Sequence, residues 1–287
     1  MKDDPNETST LAEAESRSYS APALEKGLDI LETLCRSEGP LSQKDLAQRL
    51  GRSVGEIYRM LACLVNRNYV TLVDETSYGI TTKLFELAHI NPPTHRLLFE
   101  ATPIMQRLAS ELDQSCHLTV YGQGKQVVLS KIDTPSGMGF AVRAGAELDV
   151  LISASGRVLL AFQDEETTKL RIEESLQRRP EQADVQIDSI LNRIRVAGYE
   201  SIPSVQVRGL WAVSFPILDT QGRAIAALTV PYAERLDQQQ RKSIPEVIEA
   251  LGSAAKTLST RIGGMVSSTG LNAIEREGLS KRPARGR

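Results

Sequence analysis

Two helix starts stand eleven residues apart, with a glycine between them. Ser42 precedes Gln43-Lys44-Asp45, and Ser53 precedes Val54-Gly55-Glu56. In each, a hydroxyl residue is followed three positions on by an acid. In that pattern the hydroxyl accepts from the third helical amide and the carboxylate reaches back to the cap. Gly51 supplies the stop for the first helix. Punctuation at this spacing leaves room for one short helix, a tight turn and a second helix.

The flanking residues extend the pattern. Leu24, Leu28, Leu31, Leu34 and Cys35 recur at helical spacing, and Glu38-Gly39-Pro40 ends that helix. After Ser53, Ile57, Leu61, Leu64 and Val65 point one way, while Tyr58, Arg59 and Ala62 point the other. Residues 69–73 and 78–81 read as a β-hairpin around a turn at 74–77. Helix, helix, turn, helix, hairpin is the order of a winged helix-turn-helix. The second helix braces the third so that its outer face can enter a major groove about 12 Å wide. A packing module without a ligand is the alternative. On the nucleic-acid reading, Arg52 and Arg59 bind phosphate or a guanine edge, Tyr58 contacts the backbone or a thymine methyl, and Ser53 joins them at the start of the third helix. Gln43 and Lys44 hold backbone phosphate at the start of the second helix. Thr82 and Lys83 do the same after the wing.

Charge restricts this reading. The chain of 287 residues carries a net charge of −2, and residues 21–88 hold eight Lys/Arg against nine Asp/Glu. Nucleic-acid binding must therefore rest on a local patch rather than on bulk charge.

The length suggests about two domains. A disordered acidic arm is expected over 1–20, the winged helix-turn-helix over 21–88, a helical linker over 89–101, a second domain over 102–262 and a disordered basic tail over 263–287. Leu84, Leu87, Ala88, Leu97 and Leu98 offer an apolar seam for a partner subunit. Asn91-Pro92-Pro93 interrupts the helical pattern, and Pro103 is expected to open a further helix. The second domain reads as α+β with a mostly antiparallel sheet. Its strands are 117–121, 126–132, 139–143, 213–218 and 224–230, and its helices 155–162, 164–176, 185–197 and 237–262.

Enzyme signatures are missing from the sequence. Gly122-Gln123-Gly124-Lys125 is too short for a phosphate loop and has no hydroxyl after the lysine. There is neither a Gly-x-Ser-x-Gly nor a His-Glu-x-x-His run. Cys116 and His117 are adjacent on a strand and point to opposite faces, and the other histidines are His89 and His95. No metal and no cofactor is expected. The three cysteines suit a reducing cytosol. No signal peptide and no membrane-spanning run is read, so the expected location is cytoplasmic.

Two segments carry a family resemblance. The first is KGLDILETLCRSEGPLSQKDLAQRLG, continued by YRMLACLVNRNYV and YGITTKLFELA. The second is GRVLLAF, followed by AGYESIPSVQVRGLWAVSFPILDTQGRAIAALTV. Together they resemble the IclR family of transcription regulators. The resemblance covers about residues 21–262. It implies a winged helix-turn-helix joined by a helical linker to a GAF-like effector-binding domain. It also implies a homodimer or dimer of dimers on a palindromic double-stranded operator, controlled by a small metabolite.

The chain departs from the family pattern at several points. Val54-Gly55-Glu56 stands where Lys-Ser-Thr is frequent, so Glu56 either accepts from a cytosine or only caps its helix. Leu151-Ile152-Ser153-Ala154-Ser155-Gly156-Arg157 stands where His-Ala-x-x-x-Gly-Lys is common. Ala212 and Ile202 replace a pocket cysteine and a pocket acid. By this resemblance Met138, Phe140, Ala154, Ser155, Leu210, Ala212 and Ser214 line the effector site, with walls at 138–143 and 212–217 and a helix beginning at Ser155 as its cap. The expected effector is a small organic acid, aromatic or sugar-derived, and the expected regulator a repressor of a catabolic operon. The alternative is a metabolite-binding protein whose winged helix serves assembly only; a catalytic GAF-like enzyme is a third reading.

Overall fold

The computed structural model describes residues 21–90, 92–234 and 242–264. The expected acidic arm, almost all of the basic tail and residues 237–241 of the expected closing helix lie outside them. The chain divides into two compact units, 1–92 and 93–287.

In the first unit α1 (Pro22–Arg36), α2 (Gln43–Arg49) and α3 (Val54–Asn66) pack around Ile30, Leu34, Leu46, Ala47, Ile57 and Leu61. Both capping boxes form. Ser42 Oγ accepts the Asp45 amide at 3.2 Å, and Asp45 Oδ2 accepts the Ser42 amide at 3.1 Å. Ser53 Oγ accepts the Glu56 amide at 3.4 Å, and Glu56 Oε2 accepts the Ser53 amide at 2.9 Å. Gly51 turns the chain between them at φ +62°, a left-handed backbone that glycine adopts at little cost.

The hairpin consists of β2 (Val70–Leu72) and β3 (Ser77–Ile80). Its turn is held by Asp74 Oδ1, which accepts the amides of Thr76 and Ser77 at 2.8 and 2.7 Å. A two-residue strand, β1 (Leu41–Ser42), pairs with β3 through Leu41 to Tyr78 and Ser42 to Ser77. It ties the cap of α2 to the wing. The unit ends in α4 (Lys83–Ile90).

The second unit is a six-stranded antiparallel sheet of order β6-β5-β4-β9-β8-β7. The strands are β4 (Cys116–Gly122), β5 (Lys125–Ile132), β6 (Glu147–Leu148), β7 (Glu200–Pro203), β8 (Leu210–Leu218) and β9 (Ala224–Ala233). On one face α5 (Pro92–Leu112) and α9 (Ile244–Arg261) cover Leu118, Val213, Leu228 and Val230. On the other, α6 (Ala154–Ala161), α7 (Glu165–Arg178) and α8 (Ile187–Ala197) close a second core with Leu218 and Ala227.

Four sequence expectations are corrected here. Pro103 opens no new helix; it lies inside α5. An interior proline costs roughly 3 kcal/mol. Against it stand Ala101, Ile104, Met105 and Leu108, all buried on one stripe, each contributing about 1–3 kcal/mol. Burial wins, and the helix runs through. The stretch expected as a linker, 89–101, supplies Leu97 and Ala101 to this core. Residues 139–143 form no strand; Gly137 and Gly145 take left-handed turns on either side of them, and β6 pairs with the outer edge of β5 instead. The helix expected at Ser155 begins at Ala154, and its cap is Ser153.

Gly156 lets α6 approach the preceding loop. A Cβ there would run into the carbonyl oxygen of Val150. Gly156→Ala is expected to destabilise the protein by about 1–3 kcal/mol, the range for overpacking a close contact. A lowered midpoint in urea unfolding checks this; an unchanged midpoint contradicts the contact.

Candidate nucleic-acid interface and effector site

The sequence of α3 sorts its side chains between two environments. Ile57 and Leu61 are buried, while Val54, Tyr58 and Arg59 are exposed. The exposed face is thus apolar at Val54 and Tyr58 and cationic at Arg59.

Ion pairs decide which charges are available on this unit. Arg52 donates to Asp29 Oδ2 at 3.1 Å, and Lys26 donates to Glu56 Oε1 at 3.2 Å. Glu56 is held well below the usual carboxylate range, at about 2, first by the Ser53 amide, then by the Ser53 hydroxyl and by Lys26. Its oxygens serve the cap and the lysine, which favours capping over cytosine recognition. Ser53 is likewise committed to its cap. Gln43 Nε2 donates to Tyr78 Oη at 3.0 Å, Thr82 Oγ1 to Glu86 at 3.0 Å, and Lys83 stands 3.7 Å from Glu86. Among the described residues, Lys44, Tyr58 and Arg59 are the expected contact residues left without a side-chain partner.

In the second unit the expected effector residues fall into two groups. Leu210, Ala212 and Ser214 alternate along β8 and share one sheet face. Ala154 and Ser155 are buried in the first turn of α6, which packs on the second core. Met138 is exposed and Phe140 half-buried, in the irregular segment before β6. Ser153 Oγ accepts the Gly156 amide at 3.1 Å and Gln126 Nε2 at 2.6 Å, and donates to the Asp149 carbonyl at 2.6 Å. The amides of Ala154 and Ser155 are first-turn donors that the helix itself cannot satisfy.

Register reveals what sequence reading missed. Glu200 pairs with Ser214, Ser214 with Thr229, Thr229 with His117 and His117 with Lys131. Directly opposed residues share a face, so five polar side chains form one row across five strands. The alternate residues Leu118, Leu228 and Val213 belong to the α5–α9 core, so the row faces α6.

Glu200 is fully buried and accepts from Arg193 at 2.7 and 3.0 Å and from the Ser201 amide at 2.9 Å, with Arg157 3.7 Å away. The hydroxyls of Ser214 and Thr229 bond at 2.9 Å. Burial pushes His117 down to about 4, so its ring is neutral at neutral pH. Strand alternation alone puts Thr119 on the same face as His117; the row itself depends on non-local pairing.

A separate cleft of about 500 Å³ opens between α7 and α8, beside Gln163, Lys169, Asp188 and Arg195. None of the seven expected effector residues lines it. Cys116 lies in the α5–α9 core, where burial pushes its thiol up to about 12, on the opposite face from His117. No helix among the described residues is long and apolar enough to cross a membrane.

Comparison with known proteins agrees with both units. Residues 23–74 match the IclR helix-turn-helix domain, and residues 94–260 match the family described as bacterial transcriptional regulator IclR C-terminal. The HTH-type transcriptional regulator KdgR of Escherichia coli is 26% identical over 257 residues, covering 88% of this chain and 97% of the relative. The HTH-type transcriptional repressor AllR of Salmonella typhi is 25% identical over 249 residues, covering 85% and 90%. The crystal structure of Thermotoga maritima IclR superposes with a TM-score of 0.65 at 21% identity, covering 84% of this chain and 98% of that one. An IclR homologue from Microbacterium hydrocarbonoxydans, complexed with 4-hydroxybenzoate, gives 0.68 at 20% identity with the same coverage. The GAF-like fold of the second unit is shared with these structures. With both units matched in order over most of its length, the chain belongs to the IclR family of DNA-binding transcription regulators.

Proposed function

We propose that this regulator is a dimeric repressor of a catabolic operon, released by a small organic acid bound beneath the first turn of α6. The outward face of α3 supports the DNA half of this reading. Arg59 is the unpartnered cation there, placed to reach a guanine edge or a phosphate. Val54 and Tyr58 beside it suit thymine methyl groups. Lys44 adds a phosphate contact at the start of α2. The repressor sign is supported by the AllR relatives, which are transcriptional repressors.

Arg59→Ala is expected to weaken binding to DNA from upstream of the protein's own gene by about 1–3 kcal/mol and to relax one base preference. Uniform weakening, with the salt slope falling by about one, assigns Arg59 to phosphate instead. Unchanged affinity and slope in a mobility-shift titration remove α3 from the groove.

A single winged helix reads too few base pairs to find one site in a genome. Leu84 and Leu87 on α4 are exposed and supply an apolar seam for a second copy, as do Leu24 and Leu28 on α1. Leu97, expected in the same seam, is buried in its own domain instead. Light scattering at micromolar concentration is expected to show a dimer or a dimer of dimers, and Leu84→Asp with Leu87→Asp to shift it toward monomer. A wild-type monomer overturns the assembly.

The effector site is supported by Ala154 and Ser155 standing with free first-turn amides over the β8 face, a setting that suits a carboxylate. Such a ligand acts only by binding the DNA-competent and DNA-incompetent states unequally. Ala212→Phe, which places bulk on that face, is expected to abolish release from DNA by the cognate acid. A normal response moves the site elsewhere.

A further inference from the structure

Four buried side-chain polar atoms lack a hydrogen-bond partner among the described residues, and three lie on β4 and β5: His117 Nδ1, Thr119 Oγ1 and Gln126 Oε1. The three residues share a face. His117 and Thr119 alternate along β4, and Gln126 pairs with Tyr121, the next residue of that alternation. It is the face that carries Ser214 and Thr229 and lies under α6. His117 is 4% exposed, and Thr119 and Gln126 are fully buried. Folded proteins leave few buried polar groups unpaired, because each costs roughly 1–3 kcal/mol. Three on one face of two neighbouring strands indicate a missing partner rather than scattered imperfections.

The chemistry of that partner follows from the groups that await it. A threonine hydroxyl both donates and accepts, and a neutral imidazole carries one donor and one acceptor nitrogen. A hydroxyl group on a ligand matches both. A carboxylate can only accept, and the buried histidine holds no charge to attract it. An aromatic face offers no partner to either. The one carboxylate of the row, Glu200, is already held by two arginines and so demands no cation from the ligand.

We infer that the effector is a small acid bearing several hydroxyl groups, and that His117 and Thr119 are the side chains that hydrogen-bond those hydroxyls. This rests on the reading of the α6 start as the effector site. The acid group meets the amides of Ala154 and Ser155, and the hydroxylated chain lies along the polar row of the sheet.

The test is titration calorimetry on the full-length protein with tartrate, D-gluconate and D-galacturonate, against hexanoate and benzoate. At least one hydroxylated acid is expected to bind ten times more tightly than hexanoate or benzoate. Thr119→Val keeps the shape of the side chain and removes only its hydroxyl. It is expected to weaken that binding tenfold or more while leaving the melting temperature of the ligand-free protein equal or higher. His117→Phe is expected to weaken it likewise. Tighter binding of hexanoate or benzoate, or no binding by any hydroxylated acid, overturns the inference about the effector. Full affinity in both variants overturns the assignment of the row. Loss of binding in Ala212→Phe with full affinity in Thr119→Val overturns only this inference; full affinity in Ala212→Phe overturns the siting itself.

Discussion

The antiparallel pairing of β8 with β9 is the constraint on which the second unit depends. Its ladder runs from Leu210 opposite Ala233 to Leu218 opposite Ala224. Once that register is fixed, alternation decides every neighbour. Val213 and Ile217 must face α5 and α9, and Ser214 must face α6. A one-residue slip of either strand would turn its polar side chain, Ser214 or Thr229, into the larger apolar core and its valine, Val213 or Val230, onto the polar face. The cost of moving several buried apolar side chains, about 1.5–3 kcal/mol each, makes the register unambiguous. The polar row across five strands, on the face turned away from α5 and α9, is then a consequence of pairing.

In the first unit a different economy applies. Charge is nearly balanced, and the structure removes much of it from circulation. Arg52 is held by Asp29, and Glu56 by its own cap and Lys26. These half-exposed pairs contribute little to stability, but they determine which side chains can reach a partner. On the outer face of α3 this leaves Arg59 without a side-chain partner, beside the exposed Val54 and Tyr58.

How much was legible in the sequence follows from how local each feature is. Ser42 with Asp45, and Ser53 with Glu56, were readable because a capping box is closed within four residues. The amphipathic stripes of α1 and α3 were readable for the same reason. β1 was not, since a two-residue strand exists only because β3 passes beside it. Residues 139–143 have strand-like composition, yet β6 takes the edge they would need. Pro103 read as a helix start because the rule for proline is local, whereas the apolar stripe that overrides it is tertiary. The start of α6 was placed one residue late, at Ser155, because no local pattern shows that Ser153 is held by Gln126 and the Asp149 carbonyl and so caps the helix. The row from Glu200 to Lys131 pairs Thr229 with His117, more than a hundred residues away along the chain, and no local pattern announces it.

That row is poorly explained as a device for stability. An ion pair such as Glu200 with Arg193 roughly breaks even against an apolar replacement once desolvation is counted. Unpartnered groups such as His117 Nδ1 and Thr119 Oγ1 are a net loss. Leucine and valine fill the matching positions on the opposite face of the same strands, so the fold itself does not require polarity there. Natural sequences break a local rule chiefly where function demands it. The sheet therefore divides its labour: the face toward α5 and α9 holds the domain together, and the face toward α6, where we place the effector, keeps unpaired hydrogen-bonding groups at some cost in stability.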